Sequence, residues 1–538
     1  MITKLQVRNF RASEAVEIEF DRLTAIVGPN GSGKTSVIRA LDIVAGDAWP
    51  SLRSFRIPQD FTDFDTKRSL AITVHFDPPY EHEDALKKVH KVSSLRVKCQ
   101  EYKKSGKWGQ SGDLHVDVEP LKENGEVPLV AVTEPQRGAK PKHRPLSAST
   151  GMRDVARIIL IDHRRSLVQH LPSARGSPLA RLLEPARKEF ERSGRDSFRE
   201  QYEAAMGALR TKSVREVEQT IADTAKRMLG FLGPTAVEAV NIGFGFSDPA
   251  NPFSSLRIQY AEGELQVPGE ELGLGVQSAI VVGVFEALRR LSGPVGTVVI
   301  EEPEMYLHPQ AQRYFYRLLC EMADDAEKGC QVIYTTHSPI FADINRFESL
   351  RVFRREPGKR TSVHWVSDQE DREFLSAQRE RYKLSRFDSV RSEVLFAKRA
   401  LLVEGPGDVI AAAAVAQKLG HDLDAEGLAI VECGGKGGLP LVIRLCKALA
   451  IPCVVMHDTD IWPLDDQNGE EEEKNKRIEK AAANPAHIFL LDPSLEHALD
   501  ISRNASDKPL KIAEEIEKRS LEELPEPLVQ AVKALVGA

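Results

Sequence analysis

Hydrophobic and polar positions alternate along the opening of the chain. KLQVRNF (4–10), AVEIEF (15–20) and LAITVHF (70–76) read as strands with one buried face. The apolar run at 25–27 reads as a strand as well, and glycines follow it. A helical pattern then runs from Lys34 to about Ala45. Between 80 and 150 the pattern weakens, and cations crowd two stretches. One holds Lys87, Lys88, Lys91, Arg96, Lys98, Lys103, Lys104 and Lys107; the other holds Arg137, Lys140, Lys142 and Arg144. They read as solvated hairpins or as an edge that meets phosphates. Residues 176–232 are helical by pattern, with an apolar stripe that needs cover, which predicts a dimerisation arm. Strands and helices resume over 240–355, and 367–399 reads as a charged helical connector. From Ala400 a compact α/β pattern begins (ALLVEG, LAIVEC, IPCVVMHD), and the tract 465–477 reads as a solvated loop.

Composition narrows this picture. A chain of 538 residues suggests two to four domains at roughly 150 residues each. With 41% hydrophobic and 28% charged residues it is neither a disordered chain nor a disulfide scaffold. The net charge of −7 does not exclude nucleic acid, because a metal nuclease spends carboxylates on its ions. No apolar run reaches the ~18–20 residues of a membrane span. MITKLQVRNF has no apolar leader, so a cytoplasmic protein with no membrane partner is expected. The six cysteines form no CxxC pair and read as reduced structural thiols.

Residues 28–35, GPNGSGKT, fit the phosphate-binding loop GxxxxGK[ST], between a strand and a helix. Glycines let backbone N–H groups turn toward phosphate oxygens, and the helix start adds positive potential. Asn30, Gly31, Gly33 and Ser36 belong to this cradle for ATP. Lys34 is expected to reach the β- and γ-phosphates, and Thr35 to offer its hydroxyl to Mg²⁺. Far along the chain, TVVIEE (297–302) is a buried strand ending in two acids. Glu301 is expected to hold Mg²⁺, and Glu302 to polarise the attacking water. ELGLGVQS (271–278) precedes that strand, and QVIYTTHS follows it.

This order resembles ATP-binding-cassette ATPases of the SMC and double-strand-break-repair type. The resemblance implies a signature loop (Gly273, Gly275, Gln277 and Ser278) that completes the nucleotide site of the opposite protomer. It also implies a switch histidine at His337. VRNFRAS, with Arg11, is similar to that family too, and RIPQDFTDF (56–64) suggests a further Mg²⁺ contact through Gln59 or Asp60. The signature departs from LSGGQ. In EEPEMYLHPQ, His308 reads as structural.

A second set of acids lies near the end of the chain. LLVEGPGD (401–408) and VVMHDTD (454–460) each follow a buried strand. Parallel strands bring their C-terminal ends to one edge of a sheet, so Glu404, Asp458 and Asp460 should meet there, with Asp408 on the next helical turn. Four carboxylates repel one another unless divalent cations neutralise them, and two Mg²⁺ or Mn²⁺ ions would activate water for phosphodiester cleavage. GGKGG (434–438) is expected to turn at the same edge, where Lys436 could meet the scissile phosphate.

The Glu-Gly turn followed by Asp-x-Asp resembles a Toprim domain. RSEVLFAKRALLVEG (391–405), with EEPExxLHP, resembles the OLD (overcoming lysogenization defect) family. That resemblance implies Glu496 as a further metal ligand, and Lys508 as a transition-state cation with Lys511 as the alternative. It implies a split ABC/SMC-like α/β ATPase (1–170 and 236–390) with a helical dimerisation insert (171–235) and a Toprim α/β domain (391–538). The function it implies is an ATP-hydrolysing, metal-dependent DNA endonuclease in anti-phage defence or DNA repair. Its partners would be DNA, a second copy (a tetramer stays open) and, in some members, a UvrD-like helicase. The alternative is a non-catalytic ATP-driven DNA-binding switch or clamp. A topoisomerase would need a nucleophilic tyrosine, and Tyr382 has no breakage module around it.

Overall fold

A computed structural model describes residues 1–102, 110–131, 142–162, 171, 177–193, 211–229, 239–244, 256–262, 265–292, 296–327, 329–355, 360–382, 389–463, 468–482, 487–502 and 505–537. The chain divides into two compact units. The first comprises Met1–Ala25, Gly33–Thr336 and Glu356–Thr361; the second comprises Ile26–Ser32, His337–Arg355 and Ser362–Ala538.

In the first unit, strands β1 (Ile2–Phe10) and β2 (Ser13–Glu19) alternate buried and exposed positions, as a sheet with one solvated face requires. They form an antiparallel sheet with β4 (Leu70–Glu83), β5 (Val89–Glu101) and β6 (Leu114–Leu121), in the order β2-β1-β4-β5-β6. Strand β3 (Leu23–Val27) lies before β4 in the chain and is buried at every position. The small ribbon β7–β8 (Leu129–Ala131, His143–Pro145) precedes β9 (Ile158–Ile161). Strands β10 (Ala239–Phe244), β11 (Leu256–Glu262) and β12 (Leu265–Pro268) make a separate antiparallel sheet. Parallel pairing joins β9, β13 (Thr297–Glu301) and β14 (Gln331–Thr335), with β13 in the middle and Glu301 opposite Thr335. Both β13 and β14 are buried throughout, which fits strands covered on two faces.

Helix α1 (Lys34–Ala45) packs on β1, β4, β5, β9 and β13 through residues that include Val37, Ile38, Leu41 and Val44. The short α2 (Thr150–Ala156) contacts α1 and β4. Within the range predicted to be helical, the described residues form Pro178–Leu182, Glu184–Ser193 and α3 (Lys212–Leu229). Residues 176, 194–210 and 230–232 lie outside the described residues, as do Lys103, Lys104, Lys107, Arg137 and Lys140. The apolar stripe of α3 (Val214, Val217, Ile221, Ala225, Met228) is buried, and α3 packs against α4 (Leu274–Ser292). Gly283 permits the close approach: a Cβ there would sit 2.8 Å from the Ile221 carbonyl oxygen. The stripe is therefore covered within its own chain and does not by itself call for a partner. Helix α5 (Pro309–Asp324) completes the unit's described helices.

The second unit holds the antiparallel pair β15 (Leu350–Arg354) and β16 (Ser362–His364), then α6 (Gln369–Tyr382). Its main sheet is parallel. β17 (Arg399–Val403) lies between β18 (Leu428–Glu432) and β19 (Cys453–Asp458), and β20 (Ile488–Leu491) flanks β19. Helices α7 (Pro406–Lys418), α8 (Leu439–Ala448), α9 (Asn468–Ala482), α10 (Leu495–Ala498), α11 (Lys508–Lys518) and α12 (Glu526–Val536) surround it. Leu401, Val403, Val454 and Met456 share a core with Ala412, Val415, Ile512, Leu528 and Val532 from α7, α11 and α12. Alternation sends Leu402 and Val455 to the opposite face, and α8 contacts β17.

The tract 465–477, expected to be a loop, is helical from Asn468 onward. Its acids sit in the first turns and its cations follow three or four residues later, so a helix pairs them where a loop would not: Arg477 with Glu473 and Lys474 with Glu471. All six cysteines are free thiols, and five are buried.

Candidate functional site

Two groups of chemically capable side chains stand out: Lys34, Glu301 and Glu302 lie in the first unit, and the carboxylates that follow β17 and β19 lie in the second. In the first, Lys34 opens α1 and is only 5% exposed. Burial pulls its pKa from the ordinary 10.5 down to about 8, and the nearby carboxylates of Glu302 and Glu304 oppose that drop. Gly33 holds the helix entry in the left-handed region (φ 109°), a conformation open mainly to glycine. No side chain caps this helix start, the end where anions are favoured. Thr35, Asn30 and Gly31 are exposed and Ser36 is half-buried. Within the second unit, a Cβ on Gly28 would collide with the Phe353 carbonyl.

Glu301 ends β13 and is 8% exposed. Glu302 takes a left-handed conformation (φ 49°), and its N–H donates to the Thr335 carbonyl at 3.0 Å. Glu304 accepts from the Thr336 hydroxyl at 2.9 Å. Glu304 was quoted in the motif but given no task by sequence reasoning; its spacing from Glu302 across a proline was the available signal. His308 caps α5 by accepting from the Gln310 N–H, the structural role expected of it.

Gln277 is buried, and its amide donates to the carbonyls of Glu270 (3.1 Å) and Leu272 (2.9 Å), which fastens the start of α4 to the preceding loop. Ser278 is fully buried, and its hydroxyl finds no partner among the described residues. Gly273 is exposed just before α4 and Gly275 is half-buried within it. His337 is half-buried in the second unit. Asp60, a candidate Mg²⁺ contact by sequence, is instead a structural anchor. It is 1% exposed, and its oxygens accept from the Arg11 guanidinium and the Arg56 N–H, both at 2.8 Å. Gln59 is exposed.

The second group sits at the C-terminal edge of the parallel sheet. Glu404 follows β17 and accepts from the Asp458 N–H at 2.9 Å, which ties the ends of β17 and β19 together. Asp408 accepts from the Gly405 N–H at 3.0 Å and so caps its own helix. Asp458 accepts from the Leu495 N–H at 3.0 Å. Burial, reinforced by the neighbouring acids, raises all three carboxyls: Glu404 to about 7, Asp408 to about 6 and Asp458 to about 9. Asp460 sits in a left-handed turn (φ 55°) and pairs with Lys436 at 2.8 Å. Gly435 donates to the Glu404 carbonyl at 2.7 Å, so the glycine turn lies at this edge as expected.

Lys436 is occupied otherwise than the sequence suggested. Its ammonium has three N–H bonds, and these serve Asp460, Glu471 (3.1 Å) and the Thr459 carbonyl (3.1 Å), which leaves none for a phosphate. Glu471 escaped sequence reasoning because it lay in the tract read as loop. Glu496 begins α10 and pairs with Lys508 at 3.0 Å. Burial pushes the Glu496 carboxyl up, but Lys508 and local hydrogen bonds bring it below the ordinary value. Lys511 is exposed one helical turn further on.

Among the described residues, no three acidic, histidine or cysteine side chains are already drawn round one point at ligating distance. Each carboxylate of the sheet edge named above holds a backbone N–H or a lysine instead. The donor set is nonetheless all oxygen, and three of its members are raised by burial and by the charge of neighbouring acids, the condition a hard divalent cation relieves. Among the described residues no helix is long and apolar enough to cross a membrane.

Comparison with known proteins agrees with this division of chemistry. A family model described as an AAA ATPase domain matches residues 1–119 and 167–342. A second, described as the Toprim domain of overcoming lysogenization defect protein-like chains, matches 395–460. The OLD nuclease of Thermus scotoductus (strain ATCC 700910 / SA-01) is 53% identical over 548 residues, covering 99% of this chain and 98% of its own. The Old nuclease of Escherichia phage P2 is 26% identical over 196 residues, 35% of this chain and 33% of its own. Among solved structures, an Smc head bound to the C-winged helix domain of ScpA is 16% identical and covers 69% of this chain, with a TM-score of 0.40, too loose a likeness to add to the argument.

Proposed function

The chain belongs to the OLD nuclease family, in which an ATPase is joined to a Toprim domain, and from that premise we propose that it is an endonuclease cutting DNA phosphodiesters with Mg²⁺ or Mn²⁺. The observation that carries the reading is the sheet edge that gathers Glu404, Asp408 and Asp458, their carboxyls raised first by burial and then by neighbouring acids. Glu404, Asp408, Asp458, Asp460 and Glu496 would hold the ions. Bound there, divalent cations supply an activated water and neutralise charge on the phosphate. Lys508, fixed by Glu496 and about one-third exposed, offers its ammonium to the developing charge.

In the ATPase portion, Lys34 would bind the phosphates, Thr35 and Glu301 would hold Mg²⁺, and Glu302 would orient water. Asn30, Gly31, Gly33 and Ser36 complete the cradle. Gln277 and Ser278 of a second copy, with His337 as the switch, would finish the site, which makes a homodimer the working unit. The domain limits that go with this are 1–170 and 236–390 for the ATPase, 171–235 for the insert and 391–538 for Toprim. Defence against phage or repair of DNA is the setting proposed.

The test is cleavage of supercoiled plasmid in Mg²⁺, Mn²⁺ and EDTA, with and without ATP, beside Glu404→Ala. Metal-dependent nicking or linearisation that the variant abolishes supports the reading. Cleavage surviving in the variant would refute the metal assignment. No cleavage in any lane with ATP hydrolysis intact would favour a DNA-bound switch, or an obligatory partner such as a UvrD-like helicase.

A further inference from the structure

A cleft of about 500 Å³ opens in the second unit between α6, α8 and α9. Glu370, Glu373 and Phe374 line one wall; Lys436, Gly437, Pro440 and Arg444 line the floor. Lys474, Arg477 and Lys480 line the wall opposite. These last three recur at every third residue, so one face of α9 presents three cations in a row. Five cations and two acids therefore face the cleft.

The cations differ in how firmly they are held. Lys436 is saturated by its three acceptors. Arg444 is gripped by Glu370 and Asp371 at 3.1 Å each, and it lies over the Phe374 ring at 4.5 Å. Arg477 is 55% exposed, and its partner Glu473 lies one turn back on the same helix. Such surface pairs are worth about 0–1 kcal/mol and exchange readily for another anion. Lys480 is exposed and has no ion pair among the described residues. The cleft also has a definite heading. Lys436 lies on its floor, and the same ammonium holds Asp460 at 2.8 Å, so one end abuts the carboxylate edge.

We propose that this cleft carries the sugar–phosphate backbone of the DNA strand leading away from Asp460, with Lys474, Arg477 and Lys480 meeting its phosphates and the half-buried Phe374–Arg444 pair meeting sugar or base. The volume suits roughly one or two nucleotides, and an aromatic ring beside a guanidinium is a surface on which any base can stack. The inference rests on the nuclease reading above, but its test does not depend on cleavage.

The experiment uses the full chain and the double variant Arg477→Glu with Lys480→Glu. Neither residue belongs to the proposed catalytic machinery. Binding of a 30-bp fluorescent duplex is followed by anisotropy in EDTA over a salt series. The expected result is affinity about tenfold weaker, with a slope of log K against log[salt] shallower by about 1.4–1.8, two phosphate contacts at 0.7–0.9 each. In Mg²⁺, KM for plasmid should rise with kcat within about twofold, and DNA-free ATP hydrolysis should stay unchanged. Arg477→Lys with Lys480→Arg should behave as wild type. Unchanged affinity and slope would overturn the proposal, as would a fall in kcat alone. A free nucleotide is the other source of the same chemistry, so dAMP is titrated into a Lys34→Ala background. If the glutamate pair abolishes dAMP binding but spares duplex affinity, the cleft is a mononucleotide site and the strand assignment fails. Wild-type protein that binds DNA through the cleft but never cleaves it would sink the nuclease reading and leave this one standing.

Discussion

Metal binding at the carboxylate edge should expel protons, because burial and neighbouring acids keep its carboxyls partly protonated. At pH 7, Asp458 (about 9) is almost fully protonated, Glu404 (about 7) is half protonated and Asp408 (about 6) is nearly all ionised. Cations need the ionised forms, so saturating the site with Mg²⁺ should release about one to two protons at pH 7, more at pH 6 and fewer at pH 8. Isothermal titration in PIPES, HEPES and Tris reads this directly, as the slope of apparent enthalpy against buffer ionisation enthalpy. Asp458→Asn keeps the shape of the protonated acid and removes its titration, so release at pH 7 should fall by about one proton if Mg²⁺ still binds. The same shifts set the stability of the metal-free protein. A carboxyl raised in the fold keeps a proton that the unfolded chain has lost. Stability contributed by the neutral forms is therefore complete below about pH 4 and declines as pH climbs through 6, 7 and 9. Release near zero at pH 7, or a count that does not change between pH 6 and pH 8, would refute this account.

Three further outcomes are expected. Lys34→Met should raise the nucleotide-free melting temperature of the ATPase transition while abolishing its stabilisation by ATP. The lysine's fall from 10.5 to about 8 means that holding it charged costs about 3 kcal/mol below pH 8, a cost that fades as pH rises from 8 to 10.5; a lower melting temperature in the variant would contradict this. Glu302→Gln should slow ATP hydrolysis by about 10²-fold or more with ATP affinity kept, as single-turnover and equilibrium binding assays would show. Ile221→Ala, at a fully buried contact between α3 and α4, should cost about 2–4 kcal/mol in chemical denaturation, and a change under 1 kcal/mol would mean that the helices are not locked as described.

The sequence announced most of what depends on local pattern. Helix α1 spans the predicted Lys34–Ala45, and the strands before Glu301, Glu404 and Asp458 stand where apolar runs placed them. Parallel pairing then explains why Glu404 and Asp458 share an edge. Side-chain partnership was harder to foresee, because it depends on distant segments. Asp60 looked like a metal contact until Arg11, 49 positions earlier, was seen to fill its oxygen. Lys436 looked available until Asp460 and Glu471 closed round it. The tract 465–477 looked like loop because charge was weighed there and helical pairing of the charges was not. The cover of α3 by α4 was invisible for a related reason: a stripe that must be buried does not say by which segment.

The threefold grip of Lys436 has a consequence for how this chain can diverge. One ammonium joins the glycine turn, the Asp460 loop and α9, while Asn475 of α9 donates to the same Thr459 carbonyl. Losing the lysine alone would leave Asp460 without its cation and Glu471 with Lys474 only, and losing either acid would leave a buried cation short of a partner. Drift at these positions is therefore coupled. Among descendants of a common ancestor, positions 436, 460 and 471 should be inherited as a block or exchanged as a block, and single departures should be rarer than the mutability of each site would allow.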